Sequence, residues 1–144
     1  MHLSQATTLS ADEARRVLDA ALARAEQLNV RVAIAVVDNG GHPTTLARMD
    51  GATFLATTLA TNKAITAAGT GMATHEFAEF LASDPALLAG MSSQPAVCVL
   101  PGGAPITIAG AIAGAIGVAG APTAAEQQIA HAGAAALIIQ DVGD

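Results

Sequence analysis

Apolar and polar positions change period several times along this chain, and each change marks an expected element. Ser10 and Glu13 form the Ser-x-x-Glu pattern of a capping box. Ala14, Val17, Leu18, Ala21, Leu22, Ala25 and Leu28 then recur at helical spacing. This predicts an amphipathic helix laid on a sheet and stopped at Asn29. From Arg31 to Val37 the period disappears into a continuous β-branched and apolar run, the pattern of a buried strand. Asn39-Gly40 is a strong hairpin signal, and Thr44 to Met49 is the expected partner strand. Ala52 to Ala68 contains no Gly or Pro and is dominated by Ala, Leu and Thr, which predicts a helix of four turns or more.

The second half is read from its breakers. Thr74 is the expected cap of a short helix, His75 to Ala82, with Glu76 in the first turn where the helix dipole favours an acid. Pro85 suits the first position of a further turn, and Gly90 its stop. Pro95, Pro101, Pro105 and Gly102-Gly103 divide the next stretch of chain into three expected strands: Ala96 to Leu100, Ile106 to Ala109 and Ala111 to Ala119. A last helix starts at Thr123, with a second capping box to Glu126, and turns Ile129, Ala130, Gly133, Ala136 and Leu137 inward. Helix, hairpin, helices, three strands and helix predict an α+β domain with an antiparallel sheet.

Charge narrows the function. The 144 residues, enough for one domain with a real core, carry a net charge of −6. The six basic residues form no patch that could neutralise a run of phosphates, so nucleic acid is not an expected partner. No charge occurs from Pro85 to Ala125, yet the prolines and glycines break this stretch too often for a membrane span. One cysteine, Cys98, excludes an internal disulfide and reads as a buried thiol. The opening MHLSQATTLS lacks the basic and apolar regions of a signal peptide, which makes a cytoplasmic location the expectation.

Few residues carry chemistry. Lys63 stands in register with Ala52, Ala56, Leu59 and Ala67, a face of small residues on which other backbone can pack. A lysine there snorkels to water, meets a carboxylate, or holds a ligand anion; we expect the last. Arg48 and Asp50 are one strand step apart and read as a strand-end ion pair or as binding and proton-moving groups. His75 reads as a helix-start residue or as a haem or metal ligand. His42 in the hairpin turn and His2 near the terminus are weaker candidates, and His131 is expected to face solvent. The histidines show no His-x-x-x-His or His-Glu-x-x-His spacing for a preassembled metal site. The glycines at 110, 114, 117 and 120 miss the Gly-x-Gly-x-x-Gly spacing of a dinucleotide site. They are the kind that mark close approach of another backbone or a ligand.

The order VVDNGGHPTTLARMDGA, NKAITAA, LPGGAPI and GAIGVAGAPTAAEQQIAHAGAAAL resembles the HbpS/GlcG family of haem-binding proteins. That family includes the C-terminal domain of PduO-type cobalamin adenosyltransferases. The resemblance implies a profilin-like sandwich, a five-stranded antiparallel sheet with helices on both sides, commonly assembled into homo-oligomers. The family's motif positions fall on Arg48, Asp50, Ala52, Lys63, Ala64, Gly102, Gly103, Pro105, Gly117, Val118, Gly120 and Gly133. Glu126-Gln127 stands where relatives usually carry Asp-Glu, and Ala119 where a serine is common.

Two functions are consistent with these residues. The first is binding of non-covalent haem b, since no Cys-x-x-Cys-His is present. One histidine, His75 or His42, would ligate iron, with Arg48 or Lys63 pairing the propionates beside Gly102 and Gly103. Relatives add haem degradation and a link to oxidative stress. The second is a cofactor-free enzyme on a small carboxylic or carbonyl metabolite, with Lys63 and Arg48 on the anion and Asp50 or His75 moving a proton.

Overall fold

A computed structural model describes residues 3–138. Helix α1 (Ala11–Gln27) starts on the capping box read from the sequence. The Ser10 hydroxyl accepts from the Glu13 N–H at 3.1 Å, and the Glu13 carboxylate accepts from the Ser10 N–H at 2.9 Å. The backbone and side-chain hydrogen bonds from Ser10 hold the Glu13 carboxyl below its ordinary pKa. Asn29, at φ 54°, ends the run in the left-handed region that asparagine tolerates.

Strand β1 (Ala33–Asp38) and strand β2 (Pro43–Arg48) form the first hairpin. Its turn is organised by Asp38, whose carboxylate accepts from the N–H groups of Gly40 at 2.9 Å and His42 at 3.0 Å. The left-handed residue is Gly41, at φ 82°, one position beyond the Asn39-Gly40 pair. Helix α2 (Phe54–Thr70) follows, capped by Thr53 and ended by the left-handed Gly71. Helices α3 (Thr74–Ala82) and α4 (Pro85–Ser92) come next, with Pro85 at the first position of α4. Gly90 lies inside α4 and does not stop it. Strand β3 (Gly103–Ile108), strand β4 (Ala111–Ala119) and helix α5 (Thr123–Ala134) complete the order.

The sheet is antiparallel throughout, in the order β2-β1-β4-β3. It has four strands among the described residues, not the five expected, and so departs from the five-stranded profilin-like sandwich. The missing strand is Ala96 to Leu100, which runs as irregular chain. Pro95 and Pro101 bracket it, and its Cys98 N–H donates to the Thr66 hydroxyl of α2 at 2.9 Å. The Ala96 carbonyl lies 3.3 Å from the same hydroxyl. A side chain of α2 thus takes up two of this segment's backbone groups in place of a strand ladder. Cys98 is buried, as expected.

Helices cover both faces of the sheet, and strand alternation decides which face takes which helix. Val32, Ile34, Val36, Ile106, Ile116 and Val118 point toward α1 and α5 and make the bulky core. Ala33, Ala35, Val37, Ala115 and Ala119 point toward α2. These are mostly small, so α2 settles close to the sheet through Ala56, Ala60, Ala64 and Ala67. At Gly117 the approach is complete, because a Cβ there would overlap the Ala60 carbonyl. Central strands β1 and β4 are therefore buried on both sides.

Candidate functional site

Lys63 lies on the sheet side of α2, its side chain only 3% exposed. Its ammonium donates to the Val118 carbonyl at 2.8 Å and to Glu126 Oε1 at 3.2 Å. The other carboxylate oxygen of Glu126 accepts from the Gly120 N–H at 2.9 Å. The ammonium expected to hold a ligand anion thus meets a carboxylate of the same chain. The capping box expected between Thr123 and Glu126 does not form. Pro122 is the N-cap residue of α5, without a side-chain cap, and Glu126 turns inward to lysine instead. The sequence left open that Lys63 meets a carboxylate, but nothing in its spacing named Glu126 as the partner.

Gly102 and Gly103 sit directly against Lys63. A Cβ on Gly102, at φ 117°, would stand 2.6 Å from the Val118 carbonyl and 3.1 Å from Lys63 Nζ. One on Gly103 would stand 2.6 Å from the Lys63 carbonyl and 2.7 Å from Thr74 Cγ2. Thr74 is fully buried and is the first residue of α3, not its cap. Its hydroxyl accepts from the Gly103 N–H at 2.9 Å. The next residue, His75, is thereby held over the start of β3.

A cleft of about 260 Å³ opens at this junction. Its walls are His75 and Glu76 from α3, Gly102 with Gly103, Ala104 and Pro105 of β3, and Gln127, Ala130, His131 and Ala134 from α5. Three of the residues picked out in the sequence, His75, Gly102 and Gly103, meet here. His131, expected to face solvent, is exposed and also lines the cleft. Its spacing of four from Gln127 puts both on one face of α5, the usable signal in the sequence. Arg48, Asp50 and His42 are exposed and are not among the lining residues. The expected Arg48–Asp50 ion pair is absent among the described residues, where only Arg15–Asp12 and Lys63–Glu126 pair. His2 lies outside the described residues. A second cleft of about 270 Å³, between α1 and the β3–β4 hairpin, includes Glu13 and Arg16 but no imidazole.

Among the described residues, no group of three or more His, Cys, Asp or Glu side chains is placed to hold a metal ion. His75 or His131 would therefore serve a metal as a lone donor. A haem iron accepts that arrangement, because the macrocycle supplies the other ligands. The alanine and proline walls suit an apolar ring. The volume falls below the roughly 300–1,000 Å³ of sites that enclose drug-sized ligands, so the cleft takes only part of a macrocycle. No helix among the described residues is long and apolar enough to cross a membrane.

A layered α+β domain with a histidine-lined cleft beside a buried ion pair defines the structural class. A sequence model described as "Haem degrading protein HbpS-like" matches residues 9–135. The chain belongs to this family. The crystal structure of a double mutant of Streptomyces reticuli HbpS superimposes with a TM-score of 0.86 at 39% identity, covering 94% of this chain and 90% of that one. That of a PduOC–haem complex gives 0.82 at 32% identity, covering 90% of this chain and 95% of that one. The Citrobacter freundii corrinoid adenosyltransferase PduO is 34% identical over 137 residues, 94% of this chain but 41% of that protein. The chain thus spans about two fifths of that relative.

Proposed function

We propose that this chain is a small haem-binding protein of the HbpS/GlcG type, taking haem b without a covalent link in the cleft between α3, β3 and α5. The observation that carries the reading is the convergence of His75 and His131 on one apolar cleft. It is supported by 32% identity, over nine tenths of the chain, to a protein crystallised with haem. Each imidazole offers a nitrogen donor to iron, and the alanine walls give the covered part of the ring an apolar surface. When bound, haem supplies redox and oxygen chemistry that these side chains lack. Lys63, neutralised by Glu126, supports the cleft and leaves the propionates to groups nearer the surface.

Titration of the purified protein with haemin should give a sharp Soret band. In His75→Ala or His131→Ala the band should shift, or the affinity fall at least about tenfold. His42→Ala should bind as the parent does. Parental spectra and affinity in both cleft variants would overturn the assignment.

We propose further that the chain assembles into a homo-oligomer larger than a dimer. Phe54 and Leu55, at 78% and 53% exposure, open α2 on the surface, and Leu46 adds 40% exposure on the edge strand β2. Exposed apolar side chains of this size are the kind that a subunit interface covers. Sedimentation velocity at micromolar concentration should show a species heavier than a dimer, and a monomer peak would remove the proposal.

A further inference from the structure

The buried pair stands directly behind the cleft, and one of its members, Glu126, belongs to the helix that forms the α5 wall. Behind the β3 wall, the Lys63 ammonium lies against Gly102 and the Lys63 carbonyl against Gly103. The α3 wall is tied to the same place through Thr74, which accepts from Gly103 and immediately precedes His75. The α5 wall is tied through Glu126, which binds Lys63 and immediately precedes Gln127. His131 lies on that helix a little over one turn further on. Fixed elements hold the pair from the other side: the Val118 carbonyl takes one ammonium proton, and the Gly120 N–H binds the free carboxylate oxygen.

We infer that Lys63 and Glu126 are positioning residues for the ligand cleft, setting where α5 and its His131 stand relative to the floor at Gly102-Gly103. A burial role alone would not need this placement. Packed apolar side chains of similar volume commonly stabilise a core as well as a buried ion pair does. What they lack is direction. An ammonium with two acceptors at 2.8 and 3.2 Å, and a carboxylate bridging it to a backbone N–H, fix three elements at once. Both charged groups are shielded from solvent, so the contacts are not weakened by screening as surface pairs are.

The positioning role rests on the haem reading for its ligand but not for its geometry, and the test separates the two. Lys63→Met/Glu126→Gln removes both charges together and keeps an oxygen acceptor for the Gly120 N–H. Glu126→Gln alone keeps the shape and removes one charge. Imidazole resonances of His75 and His131, assigned by NMR without haemin, report directly on the cleft. Haemin titration then reports on binding. In the folded double variant the His131 resonances should move from their parental positions, while those of His75, held through Thr74 and Gly103, should move less. Haemin affinity should fall at least about tenfold, and the Soret maximum should shift. A purely structural pair would change the melting point and leave these signatures in place. A double variant that fails to fold, or that folds with parental resonances and parental haemin binding, overturns the positioning role. A parent protein that gives no Soret complex while the variant's resonances still move overturns the haem reading alone.

Discussion

Lys63→Met should destabilise the protein by about 3–5 kcal/mol, and Glu126→Gln by a similar amount, because each strands a charge inside the domain. With Met at position 63 the apolar stem is kept, so the loss isolates the ammonium. The Glu126 carboxylate, 9% exposed, is then left with backbone N–H groups as its partners. With Gln at position 126 the ammonium keeps the Val118 carbonyl and no counter-charge. Domains of this size are stable by only about 5–15 kcal/mol, so either change removes a large share. The double variant should lose clearly less than the sum of the singles, since neither charge is then left alone. Urea midpoints of the parent, both singles and the double complete the cycle. If Lys63→Met stayed within about 0.5 kcal/mol of the parent, the value for a surface change, the ammonium would have to reach water.

Both members of this pair stood out in the sequence, yet Lys63 was expected to hold a ligand anion and Glu126 to cap its helix. Lys63 interrupts a helix that is otherwise uncharged, and Glu126 is the first charge after the stretch Pro85 to Ala125. Two isolated opposite charges on faces expected to be buried have reason to meet. Thr123-x-x-Glu126 offered a nearer explanation, the capping box, and local spacing carries no information about a lysine 63 residues away. The same limit explains the strand expected at Ala96 to Leu100. Its Val-Cys-Val core has strand propensity, but the Thr66 hydroxyl supplies a partner that no local pattern reveals. Elements specified by their own residues were legible: the Ser10–Glu13 cap and the continuous apolar run of β1. The cleft was half legible. His75, Gly102 and Gly103 were selected for their chemistry, but their convergence with His131 depends on α5 packing beside β3. Arg48 and Asp50 drew attention by charge and by motif position, and both remain exposed beyond the cleft lining.

Gly117→Ala should destabilise the protein by about 3 kcal/mol or more, at or beyond the upper end of ordinary overpacking. Gly117 sits in β4 between Ala35 of β1 and Gly103 of β3. A methyl group there would overlap the Ala60 carbonyl and lie 2.7 Å from the Ala64 nitrogen. Both obstacles are helix backbone, so no side-chain rotation clears the space. Helix α2 would have to lift from the sheet, opening the contacts of Ala56, Ala60, Ala64 and Ala67 with Ala33, Ala35, Ala115 and Ala119. The reduced entropy of the unfolded chain returns only about 0.4–1 kcal/mol for Gly to Ala. Gly90→Ala provides the matched comparison. Gly90 lies inside α4, and a Cβ there meets nothing within 4 Å. That change should stabilise by about 0.5–1 kcal/mol through helix propensity. Urea unfolding of the two variants should therefore move the midpoint in opposite directions. A Gly117→Ala midpoint at or above the parent's would mean that α2 does not rest on β4 at this residue. The ligand cleft should move with the helix, because Lys63 rides on α2 and Val118, its carbonyl partner, is the residue after Gly117.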